Sequence, residues 1–306
     1  MMKRPLIIDT DPGIDDAVAL AIACHSSEFD VKLITTVSGN VGIQQVTENT
    51  QKLLKFWHKK IPVAQGASSP LMRQPIFAQE VHGVTGLDGY DFPVIDSNEC
   101  VQLNAIDAIR QVIMTSEELV TLVAMGPLTN IALLLKVYPE VKVKIKELVI
   151  MGGALGRGNA AILSEFNIMV DPEAAQIVFD SYLPIVLVPL DVGLNALVKN
   201  KDAKRIATFN RTGNMLVQLF HHYQDGDLTN GVHMYDSCTI AYLLKPELFQ
   251  VVDAFVAIET KGEWTTGATI IDYDGKLGKS NNCQVCLDIN SHGFTEWLED
   301  SLKICD

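Results

Sequence analysis

Residues 6–21, with the sequence LIIDTDPGIDDAVALA, constrain this chain more than any other stretch. Their order predicts a buried strand, a tight turn and then a helix. Four carboxylates, those of Asp9, Asp11, Asp15 and Asp16, fall between the strand end and the helix start. Taken singly, Asp15 and Asp16 are explained by a favourable interaction with the helix dipole, and Asp11-Pro12-Gly13 by an ordinary turn. Together they would repel one another, and oxygen-rich sites suit calcium or magnesium, so the set predicts a metal or catalytic site.

The composition limits the kinds of partner. The chain has 306 residues, of which 48% are hydrophobic, enough for a large core. Its 37 acidic and 24 basic residues give a net charge of −13. Nucleic acid and anionic membrane surfaces both require a basic face, so neither is expected as a partner. Without an apolar run of about 18 residues or a signal-peptide pattern, the sequence predicts a soluble, cytoplasmic protein.

Strand-like and helix-like segments alternate through the first two thirds of the chain. This alternation predicts an α/β fold, a single domain over residues 1–306 with a mainly parallel central sheet and helices on both faces. Polar turns follow the predicted strands at 11–16, at Asn40, at Thr129 and at 152–159. Ligands bind outside the carboxyl ends of such strands, so these turns are expected to converge on one site.

A second polar cluster follows a glycine-rich loop. Asn159, Glu165 and Asn167 lie in the sequence GNAAILSEFNI. Neutral amides beside a carboxylate suit sugar hydroxyls, which both donate and accept hydrogen bonds; a polar loop that satisfies its own backbone is the alternative. The loop lacks the GxxxxGK[ST] pattern, so a nucleotide phosphate site is not supported.

Among the histidines, His82 and His233 are the better candidates for a functional role. The two histidines lie in polar or glycine-rich loops, where functional groups concentrate, although a single histidine is more often a surface or satisfied residue. Tyr235 directly precedes Asp236, and packing is its ordinary role. The histidines and cysteines show no zinc spacing. The CxxC pair at 283–286 has strand-like flanks and is interpreted as buried structural thiols.

The motif DTDPGIDD at 9–16 resembles the signature of the nucleoside hydrolases. Further blocks follow in the family's order: SGN at 38–40, GPLTN at 126–130, MGG at 151–153, the spacing of Asn159, Glu165 and Asn167, and DPEA at 171–174. The resemblance covers nearly the whole chain. The segments VHGVTGLDGYDF and 234–236 look most like the branch that accepts both purine and pyrimidine nucleosides. The resemblance implies a Rossmann-like nucleoside hydrolase fold and hydrolysis of ribonucleosides to ribose and free base.

The resemblance also implies which residues act. A calcium ion would be held by Asp11, Asp16, Asp236 and the backbone carbonyl of Thr129, and Asp236 would meet the substrate through that ion. Asp11 would take the proton from a water that attacks the anomeric carbon. The ribose hydroxyls would be bound by Asp15, Asn40, Asn159, Glu165 and Asn167. A homodimer or homotetramer is implied as well.

The leaving group is where the chain departs from the family pattern. Many relatives have a histidine immediately before the last metal-binding aspartate, and here that position is Tyr235. The proton donor to the departing base would then be Tyr235, His82 or His233.

Two other functions stay open on the sequence alone. One is a non-catalytic nucleoside or sugar sensor. The other is a magnesium-dependent phosphatase, since a DxD motif after a first strand also suits phosphoryl transfer.

Overall fold

A computed structural model describes residues 3–95, 101–223 and 228–306. Its main sheet contains β1 (Arg4–Thr10), β2 (Phe29–Thr36), β3 (Val63–Gln65), β4 (Val120–Ala124), β5 (Ile145–Met151), β6 (Ile185–Val188), β9 (Phe249–Ile258), β10 (Thr269–Asp272) and β11 (Cys283–Ile289). A small antiparallel pair is formed by β7 (Leu197–Val198) and β8 (Val232–His233).

The nine strands of the main sheet lie in the order β10-β9-β11-β6-β5-β4-β1-β2-β3. Neighbours from β11 to β3 run parallel, whereas β9 pairs antiparallel with both β11 and β10. The expectation of an α/β fold with a mainly parallel sheet is confirmed. We propose from the continuity of this sheet that residues 1–306 form one domain.

Helices cover both faces of the sheet. They are α1 (Ile14–His25), α2 (Ile43–Phe56), α3 (Gln79–His82), α4 (Ala105–Thr115), α5 (Thr129–Val137), α6 (Phe166–Val170), α7 (Pro172–Phe179), α8 (Leu190–Asn195), α9 (Asn200–Ile206), α10 (Arg211–Phe220), α11 (Ser237–Leu244) and α12 (Ser291–Leu302). Short 3₁₀ helices occur at Pro139–Lys144 and Pro246–Leu248. In the described parts of the chain, no helix is long and apolar enough to cross a bilayer.

Alternation along β1 divides the apolar interior into two cores. Leu6 and Ile8 face the core formed with α1, α2, α10 and α11, whereas Ile7 faces the core formed with α4, α5 and α7. Both faces of β1 are therefore buried, which explains why its sequence reads as a continuous apolar run. The residues of α1 from Ile14 to Ala23 are all buried. The turn between β1 and α1 is consequently held by packing at both ends.

The end of the chain departs from the sequence pattern at one turn. Asp274-Gly275 favours a hairpin within 268–276, but β10 ends at Asp272 and pairs with the preceding β9. The Asp272 carboxylate accepts hydrogen bonds from the N–H groups of Lys276 and Leu277, at 2.9 and 2.6 Å. The turn therefore directs the chain away from β10, and the hairpin prediction is wrong.

The CxxC thiols fit the interpretation as structural residues. Cys283 and Cys286 are buried in β11, and burial raises the pKa of both thiols, that of Cys286 to about 12. Across the described residues, neither belongs to a group of three or more potential metal ligands.

Candidate functional site

A cavity of about 410 Å³ lies at the carboxyl end of the parallel strands. Asp15, Asn40 and Met125 line it from the segments that follow β1, β2 and β4, and Met151 lines it from the end of β5. The other lining residues are Ile76, Phe77, Ala78, Glu80, Val81, His82, Asn159, Ala160, Glu165, Phe166, Asn167, Tyr223, Tyr235 and Asp236. The structure thus brings the turns after these strands to one place, as the topology of parallel sheets requires.

The turn between β1 and α1 fixes Asp16 by two hydrogen bonds. Its Oδ1 accepts from the Thr10 hydroxyl at 2.5 Å, and its Oδ2 accepts from the Gly13 N–H at 2.8 Å. The Asn40 amide nitrogen lies 3.4 Å from the same Oδ2. Asp16 is fully buried, so these donors determine where its negative charge lies.

Asp11 lies behind Asn40 and has one carboxylate oxygen without a partner. Its Oδ2 accepts from the Asn40 N–H at 2.7 Å, and the Asn40 side chain donates to the Asp11 carbonyl at 3.1 Å. Its Oδ1 is buried and has no hydrogen-bond partner among the described residues. A buried oxygen of this kind is costly, and a cation is one ligand that would satisfy it.

Two glycines make room for the Asp11 carboxylate. A Cβ at Gly39 would lie 2.0 Å from Oδ2, and a Cβ at Gly126 would lie 2.6 Å from Oδ1. Side chains at these positions would therefore collide with the carboxylate. Both glycines belong to the SGN and GPLTN blocks, which gives those blocks a steric reason.

Asp236, from a segment distant in sequence, forms a cluster of carboxylates with Asp15 and Asp16. Carboxylate oxygens of Asp15, Asp16 and Asp236 all lie within 4.8 Å of one another. Asp236 is the N-cap residue of α11, yet its side chain makes no capping hydrogen bond, although N-cap aspartates usually do. The carboxylate turns instead toward Asp15 and Asp16, which is the arrangement expected of a cation ligand.

Burial and mutual repulsion shift the titration of this cluster. Burial is the largest cause that raises the pKa of Asp15 to about 7, followed by the charge of Asp16. Burial and then neighbouring carboxylates raise the pKa of Asp11 and of Asp236 well above the ordinary value. Carboxyls in this state would all ionise only when a cation lies among them. The donor set consists of oxygens alone and therefore fits a hard divalent cation.

Asp9 does not belong to this cluster, although the sequence groups it with the other three aspartates. Strand alternation points Thr10 toward Asp16 and Asp9 toward the opposite face. There the Asp9 Oδ1 accepts from Thr35 at 2.5 Å and from Asn130 at 2.8 Å. Burial raises its pKa to about 7. Asp9 thus supports the sheet beneath the site.

Thr129 is not brought to the cavity. It is the first residue of α5, and its hydroxyl donates to Asp171 at 2.7 Å. Asp171 in turn caps α7 by accepting from the Ala174 N–H. The residue of this segment that lines the cavity is Met125, whose carbonyl accepts from the Asn167 amide at 2.8 Å. Strand β4 ends at Ala124, directly before Met125, whereas Thr129 lies four residues beyond Met125 at the start of α5.

Glu165 and Asn167 lie together on the opposite wall. The Glu165 carboxylate accepts from the backbone N–H groups of Gly153, Asn167 and Ile168 at 2.9, 2.9 and 3.2 Å. Burial raises its pKa to about 7 against the effect of these donors. The Asn167 amide donates to the carbonyls of Met125 and Met151. Its Oδ1 is therefore the group left to meet a ligand.

Asn159 lies at the rim of the same wall. It lines the cavity, and its Oδ1 accepts from the Phe166 N–H at 2.9 Å. The structure therefore brings Asn159, Glu165 and Asn167 together. The alternative of a loop that only satisfies its own backbone explains part of their hydrogen bonding but not their position around one cavity.

His82 lines the cavity as a neutral imidazole. Its Nδ1 lies 3.3 Å from the Ile14 N–H and accepts from it, so the ring proton is on Nε2. Burial lowers its pKa to about 4. The ring packs edge-on against Tyr223, with centroids 5.4 Å apart. His82 can therefore donate a hydrogen bond into the cavity, but it carries no extra proton near neutral pH.

Tyr235 lines the cavity, whereas His233 lies behind it. The two rings stack with centroids 5.4 Å apart. A Cβ at Gly193 would lie 2.1 Å from the Tyr235 ring, so Gly193 makes room for it. The His233 Nδ1 lies 3.3 Å from the Gly193 carbonyl. Of these two residues, only Tyr235 is placed to touch a ligand in this cavity.

Several apolar and aromatic lining residues have no recognisable signal in the sequence. Phe77, Phe166 and Tyr223 line the cavity, but each lies in a segment whose pattern indicates only a loop or a helix. Tyr223 is buried and faces Asp15 and Asp236, and its pKa is raised well above the ordinary value, mainly by burial.

The buried carboxyls predict that the metal-free protein loses stability as the pH rises from 6.5 to 8. The carboxyls of Asp9 and Glu165, with pKa values of about 7, hold protons that the unfolded chain has already released. Three imidazoles whose pKa values burial lowers are half protonated in the unfolded chain at pH 6.5 and oppose this trend there, but six carboxyls have raised pKa values and outweigh them. The free energy of unfolding should therefore fall, by at most about 1.4 kcal/mol per pH unit for each such carboxyl.

Urea unfolding at the two pH values, with chelator and with calcium, measures this dependence. Calcium should flatten it, because a bound cation replaces protons as the compensating charge. Stability that is constant or rises with pH in chelator would contradict the raised pKa values of Asp9 and Glu165.

Comparison with known proteins identifies the family of the chain. Residues 6–296 match the family model of the inosine-uridine preferring nucleoside hydrolases. A non-specific ribonucleoside hydrolase RihC from Escherichia coli O157:H7 is 50% identical over 303 residues, with 99% of each chain covered.

Solved structures give the same result. A plant nucleoside hydrolase, PpNRh1, superposes with a TM-score of 0.92 at 28% identity, covering 99% of each chain. A purine-preferring ribonucleoside hydrolase from Gardnerella vaginalis gives a TM-score of 0.90 at 26% identity, again with 99% of each chain covered. Nucleoside hydrolases of this family are metal-dependent. The chain therefore belongs to the inosine-uridine preferring nucleoside hydrolase family and is a ribonucleoside hydrolase, an enzyme of the N-glycosidase class.

Proposed function

We propose that this enzyme uses calcium to hydrolyse the N-glycosidic bond of purine and pyrimidine ribonucleosides to ribose and free base. The observation that carries this proposal is the unpartnered Oδ1 of Asp11 beside the cluster of Asp15, Asp16 and Asp236. The amides of Asn159 and Asn167 line the same cavity and would suit the hydroxyls of a ribose. The relative of broad specificity from Escherichia coli supports the range of bases.

Calcium fits the donors better than magnesium does. Calcium takes six to eight oxygen ligands in a flexible arrangement, whereas magnesium demands a small octahedron and keeps most of its waters. Asp11, Asp16 and Asp236 would supply carboxylate oxygens. We assign the backbone ligand to Met125 in place of Thr129, since Met125 lines the cavity and is followed by Gly126, where an added Cβ would lie 2.6 Å from the Asp11 Oδ1.

Asp11 is the proposed general base. Bound calcium would lower the pKa of a water and help to hold the ribose hydroxyls. The Asp11 carboxylate, whose pKa is already raised by burial, would accept the proton of that water as it attacks the anomeric carbon. Its hydrogen bond to the Asn40 N–H keeps one oxygen occupied, and the other, Oδ1, has no partner among the described residues and would be the oxygen that accepts the proton.

The other polar residues bind ribose and stabilise the charge that develops on it. Asp15 and Asn40 lie on the calcium side of the cavity, and Asn159, Glu165 and Asn167 lie on the facing wall. The Asn167 Oδ1 would accept from a hydroxyl, because both hydrogens of its amide are used. Cleavage leaves positive charge on the ribose, and the surrounding carboxylates would stabilise it.

Tyr235 is the proposed donor to the departing base. Burial raises its pKa, so the phenol keeps its proton at neutral pH. The Nε2–H of His82 would add a hydrogen bond from the same side of the cavity. His233 would act only through its stacking on Tyr235.

The two other functions have weaker support. A phosphatase needs a basic side chain that binds the phosphate, and the described lining of the cavity contains no lysine or arginine. A non-catalytic sensor would not require the buried base Asp11.

We further propose that the protein is a cytoplasmic homodimer or homotetramer, as the family implies. The acidic composition argues against nucleic acid or a membrane as a partner.

Ribose release tests the proposed reaction directly. Purified protein is incubated with inosine, uridine, cytidine or adenosine, with calcium or with excess chelator, and reducing sugar is assayed. We expect metal-dependent ribose release from both purine and pyrimidine nucleosides, and loss of turnover in Asp11→Ala. Near-normal turnover by Asp11→Ala would show that Asp11 is neither base nor ligand, and no ribose from a folded, calcium-bound protein would favour the sensor.

Gly126→Ala tests the position of the calcium ligands. The new Cβ would press on the Asp11 Oδ1 at 2.6 Å, so we expect calcium affinity to fall at least about tenfold, which is about 1.4 kcal/mol. Isothermal titration with calcium measures this. Gly156→Ala is the matched control, because nothing lies within 4 Å of its Cβ. Unchanged affinity in Gly126→Ala would remove Asp11 from the ligand set.

Tyr235→Phe tests the leaving-group donor. The change removes only the hydroxyl and keeps the stacking on His233. We expect kcat to fall by about 10²- to 10⁴-fold, the usual contribution of a positioned acid, and by different factors for inosine and uridine. An unchanged rate on both substrates would exclude the phenol as donor.

A further inference from the structure

Asn49 links the turn that carries Asp11 and Asp16 to the loop that follows His82. It lies in α2 and is fully buried. Its amide nitrogen donates to the Pro12 carbonyl at 3.1 Å and to the Thr85 carbonyl at 2.7 Å. One side chain thus joins two segments that are distant in sequence.

The hydrogen-bonding groups of Asn49 are all engaged. Its Oδ1 accepts from the Gln45 side chain at 3.1 Å, and both amide hydrogens go to the two carbonyls. The orientation of the amide is therefore determined, since a reversed amide would place an oxygen against two carbonyl oxygens. A buried polar side chain satisfied in this way holds its partners in one arrangement.

The loop at 83–89 is a compact unit that rests on Asn49. Asp88 accepts from the Val84 N–H at 2.8 Å and from the Thr85 hydroxyl at 2.5 Å. Gly86 has a φ of +83°, and a Cβ there would lie 3.0 Å from the Asn49 amide nitrogen and 3.2 Å from the Pro12 carbonyl. The loop backbone therefore packs directly against the metal-binding turn.

His82 attaches the start of the same loop to the same turn. Its Nδ1 accepts from the Ile14 N–H, two residues after the carbonyl that Asn49 holds. The loop consequently contacts the turn in two places, through His82 and through Asn49. Because the His82 contact is long, at 3.3 Å, the Asn49 contacts are the shorter ties.

We propose that Asn49 is a positioning residue that couples the 83–89 loop to the turn of Asp11 and Asp16 and so keeps His82 in the cavity. This inference deepens the proposed function and rests on it for the role of His82. Coupling between two sites is reciprocal. Calcium on the turn should therefore stabilise the loop, and loss of the loop contact should weaken calcium binding.

Hydrogen exchange tests the coupling without any turnover. Asn49→Leu keeps the size of the side chain and removes both donors. We expect the amides of 83–89 to exchange about tenfold faster than in the wild type, and the protection that calcium gives them to be lost. Gln45→Leu is the matched control, since it removes one hydrogen bond to Asn49 but neither bond to the carbonyls. Equal exchange of 83–89 in Asn49→Leu and the wild type would overturn the proposal.

A double-mutant cycle tests whether the effect passes through His82. We expect Asn49→Leu to lower kcat/KM for inosine about tenfold in the wild type and less than twofold in the His82→Ala background. Additive losses would refute action through His82. If the wild type releases no ribose at all, the proposed function fails, and the exchange experiment still decides the role of Asn49.

A second variant approaches the same contact from the loop. Gly86→Ala places a methyl group against Asn49 and Pro12 without removing a core residue, so it serves if Asn49→Leu does not fold. Because any side chain at a φ of +83° strains the loop itself, the readout is the protection that calcium gives to 83–89, which we expect to be lost. Val84→Ala, in the same loop with an exposed side chain, should keep that protection; a Gly86→Ala protein that also keeps it would contradict the coupling.

Discussion

Repulsion among buried carboxylates is the constraint on which this site depends. Two unit charges 4.8 Å apart, the largest separation in the cluster, repel by about 3.5 kcal/mol at an effective dielectric constant of about 20. Several such pairs exceed what the local hydrogen bonds offset. The cluster is therefore stable only with protons or a cation in it. Because the unfolded chain holds no such cluster, cation binding and folding of this edge of the sheet are linked.

The fold supplies the means to hold these charges together. Thr10, Gly13 and Asn40 each direct a donor at a carboxylate oxygen, and all three come from segments anchored in buried strands or helices. Asp236 comes from a distant segment and gives up its capping hydrogen bond to join them. A cap is worth about 1 kcal/mol. The start of α11 is therefore less stable than a capped one, and the Asp236 carboxylate lies with those of Asp15 and Asp16.

The elements that could be predicted are those whose physics is local. The apolar run of β1 and the Asp-Pro start of α7 follow from periodicity and capping, and both are present. The faces of individual residues were harder to assign. Asp9 looked like a member of the carboxylate cluster until strand alternation turned it to the other core.

Residue types do not indicate which backbone carbonyls bind a ligand or which loop residues reach a cavity. The Met125 carbonyl accepts from the Asn167 amide at the cavity, and because any residue possesses a carbonyl, no motif distinguishes Met125 from Thr129 for the proposed backbone ligand. Tyr223 and Phe77 reach the cavity because the loops fold over it, and loop paths depend on long-range contacts such as that of Asn49. Sequence patterns describe which side chains are available, whereas these positions depend on where the backbone runs.

Tyr235 stands where the family resemblance implies a histidine, so the proposed acid chemistry at the leaving base differs. An imidazolium loses its proton near neutral pH, whereas a buried phenol with a raised pKa stays protonated throughout that range. The proposed assistance by Tyr235 would therefore not disappear as the medium becomes mildly alkaline. A phenol is also a weaker acid and would give a hydrogen bond more readily than a full proton. Bases that leave with only a hydrogen bond from Tyr235 and His82 would then be favoured, so the substrate range depends on how much negative charge each base can carry as it departs.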